Sequence, residues 1–386
     1  MADLTNAIPP SIKGLAARSV AARWWVLGLL AVGRSLIDAT SGLTPIDFGL
    51  FGRAGDLLLS SEWLDAYNSS FIQTGVISLA IHGAVELGER ITSIDSRIWF
   101  SLLAQVGVTI LLVLATRRAV THIRGACPPW LELCVGVVAL IGQTTWTAYI
   151  SGHPSDAVVA VLWILAAADA RDDRPVRAGL LLALSAGFKQ WGLLGAPLLL
   201  LGPRTTRSIK GFSVQLAGTL AMYAPFFIWG EFNTFDKEWT VASLSLPRLF
   251  LPADAFFPWW MRLVQGAFVL VAGAVAARAV RVRATAVWIV PAVLVLARVL
   301  SEPFGNYYHW SAFDLIALVG VAGLLLDGRL WPRIAIGVGL YIELLALYFP
   351  AGLSSAMFVY RLVFACALIA LGIRSSTIRS PAFDSG

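Results

Sequence analysis

Apolar residues fill this chain in long runs that do not alternate with polar ones. The stretch VVAVLWILAAA at 158–168 has no polar position at all, whereas a lipid-facing barrel strand changes character at every second residue. Backbone groups in a bilayer must be satisfied within their own segment, so such runs predict helices. One crossing takes about 20 apolar residues. Spans are predicted at 24–42, 98–116, 131–150, 153–170, 211–230, 261–277, 284–300, 311–326, 334–349 and 357–373. Two apolar stretches, 71–88 and 178–201, are less regular. In the second, Gly187 and Pro197 flank Lys189, which suits a broken or re-entrant pair of short helices lining a cavity.

Polar positions sort to two sides. Basic clusters at Lys13/Arg18/Arg23, Arg117/Arg118/Arg124, Arg171/Arg174/Arg177, Arg204/Arg207/Lys210, Arg278/Arg281/Arg283, Arg329/Arg333 and Arg374/Arg379 separate the apolar runs. The positive-inside rule assigns them to the cytoplasm. The opposite loops, 43–70, 151–153, 231–260, 301–310 and 350–356, are poor in basic residues and rich in aromatics. Strict alternation then fails: 71–88 either dips and returns or lies along the interface, or else the Arg117/Arg118 pair is outside. The expected architecture is an all-α polytopic integral membrane protein of roughly 10–13 transmembrane helices. It comprises a cytoplasmic segment at 1–23, one bundle at 24–373 and a cytoplasmic tail at 374–386.

Composition agrees with that reading. Of 386 residues, 58% are hydrophobic and 13% charged, about half the charge of a soluble domain. The net charge of +6 lies in interhelical clusters and does not indicate nucleic acid. The first apolar run is followed by Arg34 and Asp38, not by a small-residue cleavage site. Cys127, Cys134 and Cys366 do not form a disulfide or metal pattern. P-loop, HExxH, CxxC and outer-loop DxD motifs are absent, and neither a metal nor a cofactor is expected.

A few ionisable residues remain to carry chemistry. Asp47 follows Pro45 and precedes FGLFGRAGDLLLSS, whose apolar spacing suits a helix lying in the membrane plane. Its position fits a helix N-cap as well as it fits a base held at the membrane surface. His153 and His309 belong to the same outer side, and an imidazole there can bind phosphate, tune a carboxylate or anchor the interface. Lys189 stands alone in apolar sequence and calls for a phosphate contact or a buried ion pair. His82 and His122 read as structural, and Asp56, Glu62 and Asp65 as solvated or capping groups.

Three segments carry a resemblance to a known family: DFGLFGRAGDLLL at 47–59, GHP at 152–154 with RPVRAGLLLALSAGFK at 174–189, and SEPFGNYYHW at 301–310. In order and spacing the chain resembles the GT-C superfamily of polyprenyl-phosphate-sugar-dependent glycosyltransferases, in particular its bacterial polyprenol-phosphate-mannose-dependent α-mannosyltransferases. His153 stands where that family usually has Gln, and Gln190 where Pro is common. The resemblance implies a GT-C-like bundle in the cell membrane with its active site facing the periplasm or exterior. It implies a polyprenyl-phosphate sugar donor, a lipid or glycan acceptor, and inversion in one displacement. Asp47 would be the base, with Lys189, His309 and His153 at the donor phosphate or cavity wall. Tyr308, Trp310 and Glu302 would frame substrate, as would the aromatics Trp63, Tyr67, Trp239, Trp259 and Trp260. Two readings compete: a transporter or flippase of a lipid-linked saccharide, which calls for matched broken helices in two halves, and a non-enzymatic envelope-assembly scaffold.

Overall fold

The structure is a computed structural model, and it describes residues 18, 20–241, 245–252, 255–303, 307–326, 337 and 354–375. Its α-helices are α1 (Arg23–Thr40), α2 (Phe48–Leu58), α3 (Val76–Thr92), α4 (Ser96–Arg124), α5 (Pro129–Ile141), α6 (Gln143–Ile150), α7 (Pro154–Arg171), α8 (Pro175–Phe188), α9 (Thr205–Ile228), α10 (Trp259–Val280), α11 (Ala286–Ser301), α12 (Ser311–Leu325) and α13 (Ser354–Ser375). The only β structure among the described residues is a short antiparallel pair, β1 (Trp239–Thr240) with β2 (Phe256–Phe257). This is an all-α membrane protein. Four of its helices, α4, α9, α10 and the Phe358–Ser375 part of α13, are long and apolar enough to cross a bilayer alone.

Helix α7 is the axis of the bundle. Its sequence is apolar all round, and a helix of that kind must be enclosed by protein or lipid. Here Ala157 to Ala168 pack against α4, α8, α11 and α12, with Trp163 fully buried. Proline at the first position of α5, α7 and α8 starts each helix where its missing N–H costs nothing. Helices α9 and α10 lie at the edge and turn Leu216, Leu220, Leu263 and Val271 outward.

The charges collect at one end. Glu132 joins Arg23 of α1 to Arg117 of α4, and Asp169 and Asp172 of α7 hold Arg118. Arg171 reaches the Arg281 carbonyl, and Arg281 reaches the carbonyls of Gly202 and Pro203. His122 pairs with Asp172 at 3.3 Å. The described basic residues of these separate loops thus gather in ion pairs and carbonyl contacts at one end of the bundle, the basic end.

One predicted span takes a different form, and the two irregular stretches take the forms that follow. The 131–150 span is two helices, α5 and α6, meeting at Gly142. The 71–88 stretch is α3, and both its ends lie away from the basic end. Gly75 N–H bonds to the Phe188 carbonyl at the far end of α8, and Glu89 accepts from the Ser96 amide at the start of α4. Helix α3 packs on α2, so the two form a layer across that end. The 178–201 stretch breaks at Lys189, whose backbone is extended between α8 and a 3₁₀ helix, Gln190–Leu201. At about 2.0 Å per residue, a 3₁₀ helix reaches a third farther than an α-helix of equal length. Its backbone is tied down by side chains, with Trp163 donating to the Gly192 carbonyl and Gln215 to that of Leu193. The predicted span at 334–349 lies outside the described residues.

Candidate functional site

Opposite the basic end, a cavity of about 670 Å³ opens between the α2–α3 layer, the 3₁₀ helix, α9 and α10. Asp47 sits at its wall. It holds the N-cap position of α2, yet its side chain makes no capping bond, and its backbone is left-handed at φ 61°. Asp is among the few residues that tolerate that region. The carboxylate points instead at His153, with Oδ2 3.2 Å from Nε2.

Two tight turns bring these groups together. Ile46 N–H bonds to the Ile150 carbonyl, which lays the 44–47 turn against the 150–153 turn. Gly152 lies at the crossing with φ 72°, and a Cβ there would stand 1.8 Å from the Ile46 carbonyl oxygen. Only glycine fits. The motif SGHP is therefore a close-approach device, with proline starting α7 immediately after the histidine.

Behind His153 runs a chain of polar contacts. Lys189 Nζ lies 3.1 Å from His153 Nδ1 and 3.3 Å from Asp156 Oδ2. Asp156 Oδ1 accepts from Trp191 Nε1 at 2.8 Å. An ammonium has only donors, so His153 Nδ1 must accept from it, which leaves the proton on Nε2 to be donated to Asp47. The order Asp156–Lys189–His153–Asp47 thus fixes the tautomer and aims two donors in sequence at Asp47. The His153 hydrogen bond is the main reason the Asp47 carboxyl titrates below the ordinary range. Asp47 is consequently ionised at neutral pH and open on its cavity side, being 43% exposed.

A second charged group faces the same space. Glu302, just past α11, accepts from Arg262 at 2.8 Å and from Gln265 at 3.2 Å, and lies 3.5 Å from Arg298. Burial works to raise its carboxyl, and Arg262 with Arg298 outweighs that, so it stays well below the ordinary carboxylate range. Arg298 stacks on Trp191 at 4.4 Å. His309 lines the cavity, and burial pushes its imidazole down to about 3, so it is neutral at pH 7. The remaining wall is apolar. Leu220, Phe227, Ile228 and Leu263 line it and are all more than half exposed, so this side runs out to the lipid-facing surface.

Of the residues singled out from sequence, Asp47, His153, Lys189, Glu302 and His309 line one cavity, as do Trp239 and Trp259. Trp310 does not: it is buried against Phe313 and Phe358 with Arg361 over its ring. Tyr67 is also buried and bonds to the Thr74 carbonyl, Trp63 packs on Phe226, and Trp260 is exposed away from the cavity. The side chain of Tyr308 lies outside the described residues. Sequence reading passed over Asp156, Arg262, Gln265, Arg298 and Trp191. The signals were present: Asp156 is three residues past His153, and Arg298 is four before Glu302 at the end of an apolar helix. No protein-family model matches this sequence, and no curated protein matches it significantly.

Proposed function

We propose that this protein is a membrane glycosyltransferase. It moves a hexose, with mannose the first candidate, or a pentose from a polyprenyl-phosphate sugar to a lipid-linked or glycan acceptor. The reaction takes place on the outer face of the cell membrane. The observation that carries the reading is an ionised, cavity-facing Asp47 held by His153 in a pocket that is cationic at one wall and opens laterally to lipid. The cavity volume of 670 Å³ falls within the range of small-ligand sites, about 300–1,000 Å³.

In the proposed step, the acceptor hydroxyl gives its proton to Asp47 as its oxygen attacks the anomeric carbon. The bond from that carbon to the phosphate oxygen breaks, and polyprenyl phosphate leaves from the opposite face with inversion. One carboxylate suffices, and no covalent intermediate forms. The positive side chains of the cavity stabilise the departing phosphate. His153 keeps Asp47 ionised before the step and orients it during it.

The experiment incubates membranes or purified protein with radiolabelled polyprenyl-phosphate sugars and candidate lipid acceptors. Product from the wild type and a loss of at least about 100-fold in Asp47→Asn are expected, the scale of general-base catalysis. Equal rates would remove Asp47 as the base. Movement of labelled lipid between leaflets without a new glycosidic bond would replace the reading with a flippase.

A further inference from the structure

The cavity holds more positive charge than its acids use. Among its described lining residues are Lys189, Lys237, Arg262 and Arg298, against the carboxylates Asp47 and Glu302. Asp156, behind Lys189, accounts for one of the positive charges. With the histidines neutral, the balance among these side chains is an excess of one positive charge.

The four cations are not equivalent. Lys189 is 7% exposed and sits between Asp156 and His153, so its charge is matched and its donors are engaged. Lys237 lies at the rim with its ammonium 3.7 Å from the centroid of the Phe71 ring. Arg262 and Arg298 differ from both. They come from neighbouring helices, α10 and α11, and converge on the single carboxylate of Glu302. Each guanidinium carries five N–H donors in a fixed plane, so the shared carboxylate, with the Gln265 side-chain oxygen 3.0 Å from Arg262, uses a minor part of what the pair offers. Both planes are held by aromatic rings, Arg298 on Trp191 at 4.4 Å and Arg262 over Phe257 at 5.2 Å. Two ring-held forks facing one cavity match the oxygen geometry of a phosphate ester far better than a mobile lysine does. The apolar wall of Leu220, Phe227, Ile228 and Leu263 runs from the same cavity to the lipid-facing surface.

We propose that Arg262 and Arg298 form the seat of a lipid-borne phosphate ester in this cavity, and that Glu302 holds the two guanidiniums aligned until that anion takes their remaining donors. Lys189 is then a positioning residue for the His153–Asp47 pair and not the phosphate ligand. The inference rests on the glycosyltransferase reading only for what the lipid phosphate carries.

The test needs no sugar and no turnover. The full chain in zwitterionic nanodiscs is titrated with a short prenyl monophosphate, and separately with inorganic phosphate and with the uncharged prenol. Arg262→Gln and Arg298→Gln are each expected to weaken prenyl phosphate binding by at least about tenfold, the scale of one lost charge-assisted hydrogen bond. The double variant Lys189→Gln/Asp156→Asn should cost less than about threefold, because the pair it removes carries no net charge. Glu302→Gln keeps an oxygen that accepts from Arg262 and so preserves the alignment, but removes the charge that repels the ligand, and it should tighten binding, a gain that misfolding cannot produce. Inorganic phosphate should bind more weakly than the prenyl ester, and prenol should not compete with it. Arginine variants within threefold of wild type, a larger loss in the Lys189→Gln/Asp156→Asn double variant, weaker binding in Glu302→Gln, or inorganic phosphate binding as well as the ester would overturn the proposal. Binding as expected without transfer from any sugar-loaded donor would end the glycosyltransferase reading and leave the phosphate seat. Transfer by the wild type with binding indifferent to both arginines would do the reverse.

Discussion

Asp47 occupies a place from which a carboxylate ordinarily caps a helix, and its side chain turns away from that task. Sequence spacing fits capping and catalysis equally, because both need an acid just before an amphipathic helix. The choice depends on where the carboxylate points, and His153, 106 positions away, decides that. Separation along the chain likewise hid the roles of Asp156 and Arg262, whose partners Lys189 and Glu302 lie 33 and 40 residues on. Lys189 was legible as one of a buried ion pair because a lone ammonium in apolar sequence must find an anion. His309 gives a prediction at this scale. Burial holds it at about 3 against an ordinary 6.5, so between those values the unfolded chain binds a proton that the folded chain does not. Its contribution to stability is therefore complete above pH 6.5 and is lost as pH falls toward 3. The lowered carboxyls of Asp47 and Glu302 add to the loss only below about pH 4. In detergent, the wild type should melt lower at pH 5 than at pH 7.5, with up to about 2 kcal/mol from His309. His309→Gln should reduce that difference by His309's own share, the buried His82 and His153 keeping part of it, and an equal drop in both proteins would show that His309 contributes nothing to it.

At the scale of elements, the apolar runs located most helices to within a few residues, since burial and the 3.6-residue repeat are local properties. They did not say which apolar helices cross. Helix α3 begins with an apolar run but carries Glu86, Glu89 and Arg90 in its second half, and it starts beside Phe188 and ends beside Ser96 at the same end of the bundle. The 3₁₀ helix at Gln190–Leu201 was likewise invisible as such, because its stability comes from Trp163 and Gln215 holding its carbonyls. The junction of the 44–47 and 150–153 turns is where element geometry controls the site. Gly152→Ala forces a Cβ against the Ile46 carbonyl at a positive φ, and should cost about 1–3 kcal/mol. It should also separate Asp47 from His153, so that transfer falls far more than the loss of folded protein accounts for. A variant with wild-type activity per folded molecule would show that the turns need not touch.

Over the whole molecule, charge is divided between the basic residues at one end and the cavity at the other. If the basic end is cytoplasmic, single cysteines replacing the exposed Arg177 and Glu62 should label from opposite sides. With the three native cysteines removed, a membrane-impermeant maleimide added to intact cells should react at position 62 and not at 177. Labelling at 177 alone would invert the orientation and move the cavity to the cytoplasm. The sequence by itself determined that this is a helical membrane protein, roughly where its helices lie, and that its basic loops share one side. Those properties follow from local hydrophobicity and from a bilayer that charge does not cross. Only the tertiary structure decided that α3 stays at the cavity end and that Asp47 meets His153. It alone brought Arg262, Arg298 and Glu302 together, because contacts between helices distant in the chain depend on packing that no local pattern encodes.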